Sequence, residues 1–84
     1  YPNPFNPVTT IRYDLPEDSY VKLDIYDVMG RNIKSLITNH KEAGYHSIRW
    51  NGTNENGETV SAGMYIYSIH AGDYIYVRKL ILLK

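Results

Sequence analysis

Cysteine is absent from the chain, so neither a disulfide nor a thiolate metal site staples it. No charge of either sign predominates: nine Lys and Arg balance nine Asp and Glu. With acids and bases interspersed, the sequence offers no electrostatic footprint for nucleic acid or an anionic membrane. Long apolar runs are missing too. Leu80, Ile81, Leu82 and Leu83 form the longest, far short of the ~20 residues a membrane-spanning helix needs, and no direct membrane insertion is expected. No basic-plus-hydrophobic leader opens the chain, and its first residue is Tyr. The expectation is a fragment, either an excised domain or a processed piece of a larger chain, with any export leader elsewhere. Alanine is sparse and no segment of useful length carries the helical period. Eighty-four residues support a single domain with a small core.

Tyrosine, valine and isoleucine are plentiful, which favours strands. Residues 1–7, YPNPFNP, hold three of the four prolines and predict an extended lead-in that cannot be a central strand. The lead-in is expected to span residues 1–8, with a β-sandwich over 9–84. In residues 8–15, Ile11, Tyr13 and Leu15 alternate with Arg12 and Asp14, a strand; residues 16–19 turn the chain. Val21, Leu23 and Ile25 alternate with Lys22 and Asp24 in a second strand over 20–27, which puts Asp14, Asp24 and Asp27 on the solvent side. Gly30 is the expected positive-φ residue of the next turn. Residues 32–38 read as a weaker strand with Leu36 out of phase, the mark of a bulge, and 39–44 as a polar loop. Residues 45–50 form a strand with Ile48 and Trp50 inward.

A long loop over 51–63 leads to a hairpin of 64–70 and 74–83 about Ala71, Gly72 and Asp73. In that hairpin Tyr65, Tyr67 and Ile69 are expected inward, joined by Tyr74, Leu80 and Leu82, with Ile81 and Leu83 outside. Roughly six or seven short antiparallel strands at regular spacing predict an all-β, immunoglobulin-like or fibronectin type III-like sandwich.

Catalytic chemistry finds little support. No serine sits in a Gly-x-Ser-x-Gly elbow, His40, His46 and His70 lack the close spacing of a zinc pair, and the reading is a non-enzyme without cofactor. Asn51, Thr53, Glu55 and Glu58 are oxygen donors at intervals that suggest calcium. The loop pattern fails, however, because Asn56 stands where the glycine belongs, leaving Asn51, Glu55 and Glu58 as weak metal candidates. Asn51-Gly52-Thr53 fits a glycosylation triplet. Tyr20, Tyr26, Tyr65, Tyr67, Tyr74 and Tyr76 serve either as a sugar platform or, the favoured reading, as core filler with hydroxyls at the rim.

Several separated pieces together resemble a family. Tyr1-Pro2-Asn3-Pro4-Phe5-Asn6-Pro7 with Thr9-Thr10-Ile11, then Ile25-Tyr26-Asp27-Val28-Met29-Gly30-Arg31, Ala43-Gly44-Tyr45-His46 and Trp50-Asn51-Gly52 are similar to type A C-terminal sorting domains of type IX secretion cargo. Ser61-Ala62-Gly63-Met64-Tyr65 and the final Arg78-Lys79-Leu80-Ile81-Leu82-Leu83-Lys84 continue that likeness. The Ig-like domain of flagellar hook-capping proteins looks similar over much the same stretch.

The first resemblance implies a non-catalytic address label for an upstream cargo domain. Its partners would be outer-membrane type IX components and a surface transpeptidase-like protease, and the cargo would be secreted or held at the cell surface via the periplasm. Recognition would fall to Arg78, Lys79, Leu80, Ile81, Leu82, Leu83 and Lys84, with Gly30 and Arg31 as further shared features. The second resemblance implies a structural or assembly domain of a hook-capping protein. An accessory carbohydrate-binding or linker module is a third reading of the same fold.

Overall fold

Two tight turns show how local chemistry sets the strand order. At Gly72-Asp73, glycine takes φ +61°, and among the described residues no non-glycine residue has positive φ. A glycine at the first central position of a two-residue loop is the type II′ arrangement, whose twist matches the strands it joins. Ala71 therefore pairs with Tyr74. At residues 28–30 the Gly30 amide donates to the Asp27 carbonyl at 3.0 Å, and Gly30 takes φ +86°, the left-handed position that closes a three-residue hairpin loop.

This computed structural model describes residues 8–83; residues 1–7, the proline-rich lead-in, and Lys84 lie outside it. Six strands follow in order: β1 Thr9–Leu15, β2 Ser19–Asp27, β3 Asn32–Lys41, β4 Gly44–Trp50, β5 Gly63–Ala71 and β6 Tyr74–Leu82. They form a two-stranded sheet, β1-β4, and a four-stranded sheet, β3-β2-β5-β6, with every pairing antiparallel. The expected all-β immunoglobulin-like sandwich is the fold observed.

The core lies between the sheets. Ile11, Tyr13 and Leu15 face Val21, Leu23, Ile25, Tyr65, Tyr67, Ile69, Leu80 and Leu82, with Trp50 fully buried. Trp50 meets Tyr65 edge-on at 5.2 Å and its indole N–H donates to the Thr53 carbonyl at 2.9 Å. The Tyr65 hydroxyl donates back to the Ser61 carbonyl at 2.6 Å, fixing the chain as it enters β5. Such phenol-to-upstream-backbone bonds are a recurring device of these sandwiches.

The bulge expected at Leu36 is present. Leu23 pairs with Ile37 but Asp24 pairs with Ser35, so Leu36 has no opposite number. A second register shift leaves Ile33 unpaired in the same way, and both side chains pack against the core. β3 runs three residues beyond the expected Thr38, because Asn39, His40 and Lys41 pair with Val21, Tyr20 and Ser19. Asn39 and His40 are exposed and Lys41 is half-buried, so their polar side chains do not interrupt the ladder and the expected polar loop contracts to Glu42-Ala43.

Asp24 corrects the solvent-side expectation. It is 3 % exposed, because β2 is interior to its sheet and Asp24 sits between Ser35 of β3 and Ser68 of β5. Its Oδ2 lies 3.9 Å from Lys22 Nζ and receives a long, 3.5 Å hydrogen bond from the Tyr26 hydroxyl.

Candidate functional site: the β5–β6 face and the sandwich mouth

Alternation decides what each residue of β6 does, since successive side chains point to opposite faces. Leu80 and Leu82 enter the core and Ile75, Val77 and Ile81 point away from it, each more than half exposed. Leu83, beyond the strand, is exposed as well. Across the ladder Ile81 pairs with Met64 and Lys79 with Ile66, so β5 extends the apolar strip. The outer face of this hairpin therefore carries a contiguous apolar surface with Lys79 within it. Exposed apolar patches of this kind mark contact surfaces.

β6 is also the edge of its sheet. The opposite edge, β3, is covered: the Glu55 amide donates to the Ile33 carbonyl at 3.1 Å, and Glu55 Oε2 accepts from the Ser35 amide at 3.2 Å. On β6, Arg78 occupies an inward-phased position yet is exposed, with its guanidinium 4.6 Å from the Tyr76 ring centroid. A charge in that position discourages strand-on-strand pairing. The face of β5–β6, rather than its edge, is the better contact surface.

The terminal residues expected to form one recognition label therefore separate. Leu80 and Leu82 are core residues; Lys79, Ile81 and Leu83 are exposed; Arg78 lies against Tyr76; Lys84 is outside the described residues. Gly30 and Arg31 come to the same end of the four-stranded sheet as the β6 terminus, because Asp27 pairs with Tyr65 and Gly63 with Leu82.

Arg31 has a local task there. Asp27 Oδ2 accepts from Arg31 Nε at 2.7 Å, and Oδ1 accepts from the amides of Met29 and Arg31 at 2.9 and 3.0 Å. The bond from the Arg31 amide, chiefly, holds the Asp27 carboxyl below its ordinary value of 3.8 against a smaller desolvation effect. The carboxylate's support of the turn is thus complete above the ordinary range and is lost as pH falls through the lowered pKa. An NMR titration is expected to place the Asp27 midpoint below 3.8. Arg31→Ala should move it only partway back, because the backbone donors remain. A midpoint at or above 3.8 in the parent chain would contradict this account.

Of the expected metal candidates, Asn51 and Glu58 are engaged within their loop, whereas Glu55 is engaged on the β3 edge. Asn54 Oδ1 accepts from the amides of Asn56 and Glu58, each at 3.0 Å. Asn54 Nδ2 donates to Glu58 Oε1 at 3.0 Å, and the Thr53 hydroxyl donates to Asn51 Oδ1 at 2.6 Å. Among the described residues no cluster of His, Asp and Glu is arranged to hold a metal ion.

The six candidate tyrosines divide among three places. Tyr65 and Tyr67 are in the core, Tyr20 and Tyr26 are on the outer face of the four-stranded sheet, Tyr20 beside His40 and Tyr26 bonded to Asp24, and Tyr74 and Tyr76 stand at a mouth between the sheets. Tyr74 has the inward phase expected of it but remains exposed. The sandwich opens there into a cleft of about 580 Å³, walled by Tyr13 and His46 on one side and Tyr74 and Tyr76 on the other. Sequence reading missed this cleft; the signal available was the tyrosine spacing at 74 and 76, whose opposing wall lies in strands remote in sequence.

The family profile described as the FlgD Ig-like domain matches residues 7–73. Among solved structures, FlgD from P. aeruginosa is 22 % identical with a TM-score of 0.72, covering 89 % of this chain and 60 % of that one. FlgD from Xanthomonas campestris, described in connection with hook capping in flagellar assembly, is 26 % identical with a TM-score of 0.71, covering 92 % of this chain and 56 % of that one. The chain thus spans less than two thirds of either structure's length. No curated protein sequence matches.

These matches overturn the type IX sorting reading, and with it the outer-membrane secretion partners, the surface protease, the upstream cargo and the route through the periplasm to the cell surface. The resemblance misled for a physical reason. Its shared pieces include the Asp27-Gly30-Arg31 turn, the buried Trp50 and the Leu80/Leu82 core positions, which build the sandwich.

Proposed function

Because the chain belongs to the FlgD Ig-like domain family, we propose that it is a non-catalytic assembly domain of a flagellar hook-capping-type protein. The profile match over residues 7–73 carries this reading. The single domain spans residues 1–84, and its contact surface is the apolar face made by Ile75, Val77, Ile81 and Met64. The occupant of that face is another domain of the parent protein or assembly, consistent with the chain spanning only part of the solved relatives. An assembly domain requires no enclosed polar site, only a rigid framework presenting apolar side chains at fixed intervals, and a bulge-pinned sheet supplies one.

The test is the parent protein carrying Ile75→Asp and Val77→Asp together. Both side chains are 61 % exposed, so each change is expected to alter stability by no more than about 0.5 kcal/mol. Circular dichroism should be unchanged while hook completion and swimming in soft agar are lost. Full motility with the doubly substituted protein would sink the reading.

A further inference from the structure

We propose that the cleft between the sheets is a docking site for the proline–aromatic tract, residues 1–7, of a second copy of this chain. The cleft is built before anything enters it. His46 stacks on Tyr13 at 5.2 Å with the ring planes 19° apart, and its Nε2–H donates to the Glu42 carbonyl at 2.6 Å, which fixes the ring. Across the opening Tyr74 and Tyr76 lie nearly parallel at 5.9 Å and 12°, with Arg78 against the Tyr76 ring. Each wall is thus a pair of parallel rings held by neighbours, so filling the slot freezes little that is not already fixed.

Aromatic-walled grooves suit polyproline segments, whose rings insert between the aromatics and whose backbone loses little entropy on ordering. The sequence contains such a segment in Tyr1-Pro2-Asn3-Pro4-Phe5-Asn6-Pro7, with Pro4 and Pro7 at the P-x-x-P spacing. Charge agrees. The tract has no ionisable side chain except the tyrosine phenol, and the cleft's charged rim residues, Arg12 and Asp14, are one of each sign.

A second copy is the fitting source. The tract joins β1 at its Thr9 end, and β1 runs from there toward Tyr13. A tract entering its own cleft would have to reverse within the Pro7-Val8 step that joins it to β1, where the proline ring fixes φ. Tract of one copy into cleft of the next is a heterologous contact, which propagates as a ring or an open chain. The proposal stands on the cleft and the tract and is independent of the family reading.

Complementation between two variants tests it. Raising the concentration of the parent chain should shift the NMR signals of Tyr13, His46, Tyr74 and Tyr76 and raise the average mass in sedimentation equilibrium. Tyr74→Ala, which keeps the tract, and Pro4→Ala/Pro7→Ala, which keeps the cleft, should each abolish both effects. In a mixture of unlabelled Tyr74→Ala chain with labelled Pro4→Ala/Pro7→Ala chain, the labelled cleft is intact and the only prolyl tract available to fill it is the unlabelled chain's. The shifts should therefore return in that mixture, and a synthetic heptapeptide of residues 1–7 should reproduce them even if Tyr74→Ala fails to fold. Shifts that persist undiminished without the two prolines, that are independent of concentration, or that do not respond to the heptapeptide would overturn the proposal.

Discussion

A chain ending at Lys79 is expected not to fold. The truncation deletes Leu80 and Leu82, and Leu82 is fully buried between the sheets. Emptying one buried leucine position costs roughly 3–5 kcal/mol, and deleting two leaves a cavity at the sheet end as well as unpaired partners in β5. A domain of this length has about 4–13 kcal/mol of stability in total. The urea transition of the truncated chain should be absent or shifted to near zero denaturant, with the strand signature in circular dichroism largely lost. Ile81→Ala, on the exposed side of the same strand, is expected to cost less than about 1 kcal/mol. A truncated chain that unfolds cooperatively at the parent midpoint would refute the placement of β6 in the core. The contrast also bears on function: any loss of activity on removing the last residues reports a collapsed sandwich before it reports a lost label.

Trp50→Ala should come close to the same result from the other sheet. The side chain is fully buried, packs edge-on against Tyr65, and holds the following loop through its bond to the Thr53 carbonyl. Truncating a buried tryptophan costs about 3–5 kcal/mol, and leaving that carbonyl without its donor adds roughly 1 kcal/mol. Trp50→Phe keeps much of the volume but drops the donor, so its midpoint should lie between those of the parent and Trp50→Ala. Because Trp50 is the sole tryptophan, both variants are followed by circular dichroism. Equal midpoints for all three chains would contradict the description of the core.

Much of this framework was legible along the chain because period-two alternation is a local property. Ile11, Tyr13 and Leu15, the Leu36 bulge, the Gly30 turn and the Gly72 hairpin each declare themselves within a few residues. What escaped was everything set by which strands become neighbours. Asp24 alternates like a surface residue and is buried only because β2 lies between β3 and β5. Tyr74 has an inward phase and is exposed only because the sheets part at its level. Glu55 reads as a possible metal ligand until the loop is seen against the β3 edge. The terminal run shows the same division: its apolar character is plain in the sequence, but Leu80 and Leu82 differ from Ile81 and Leu83 only in which face looks toward β1 and β4. Function lay further from view, since the pieces that carried the resemblances, such as the Gly30 turn and Trp50, are ones that shape the sandwich.

Hydrogen exchange, followed by mass spectrometry on the parent protein before and after assembly, tests the assembly role of the β5–β6 face most directly. The account predicts slower exchange on assembly in peptides from Gly63–Ala71 and Tyr74–Leu82, with the β3 ladder, already covered by Glu55, changing little. Unchanged exchange in β5 and β6 together with new protection confined to β3 or to β1 and β4 would contradict it.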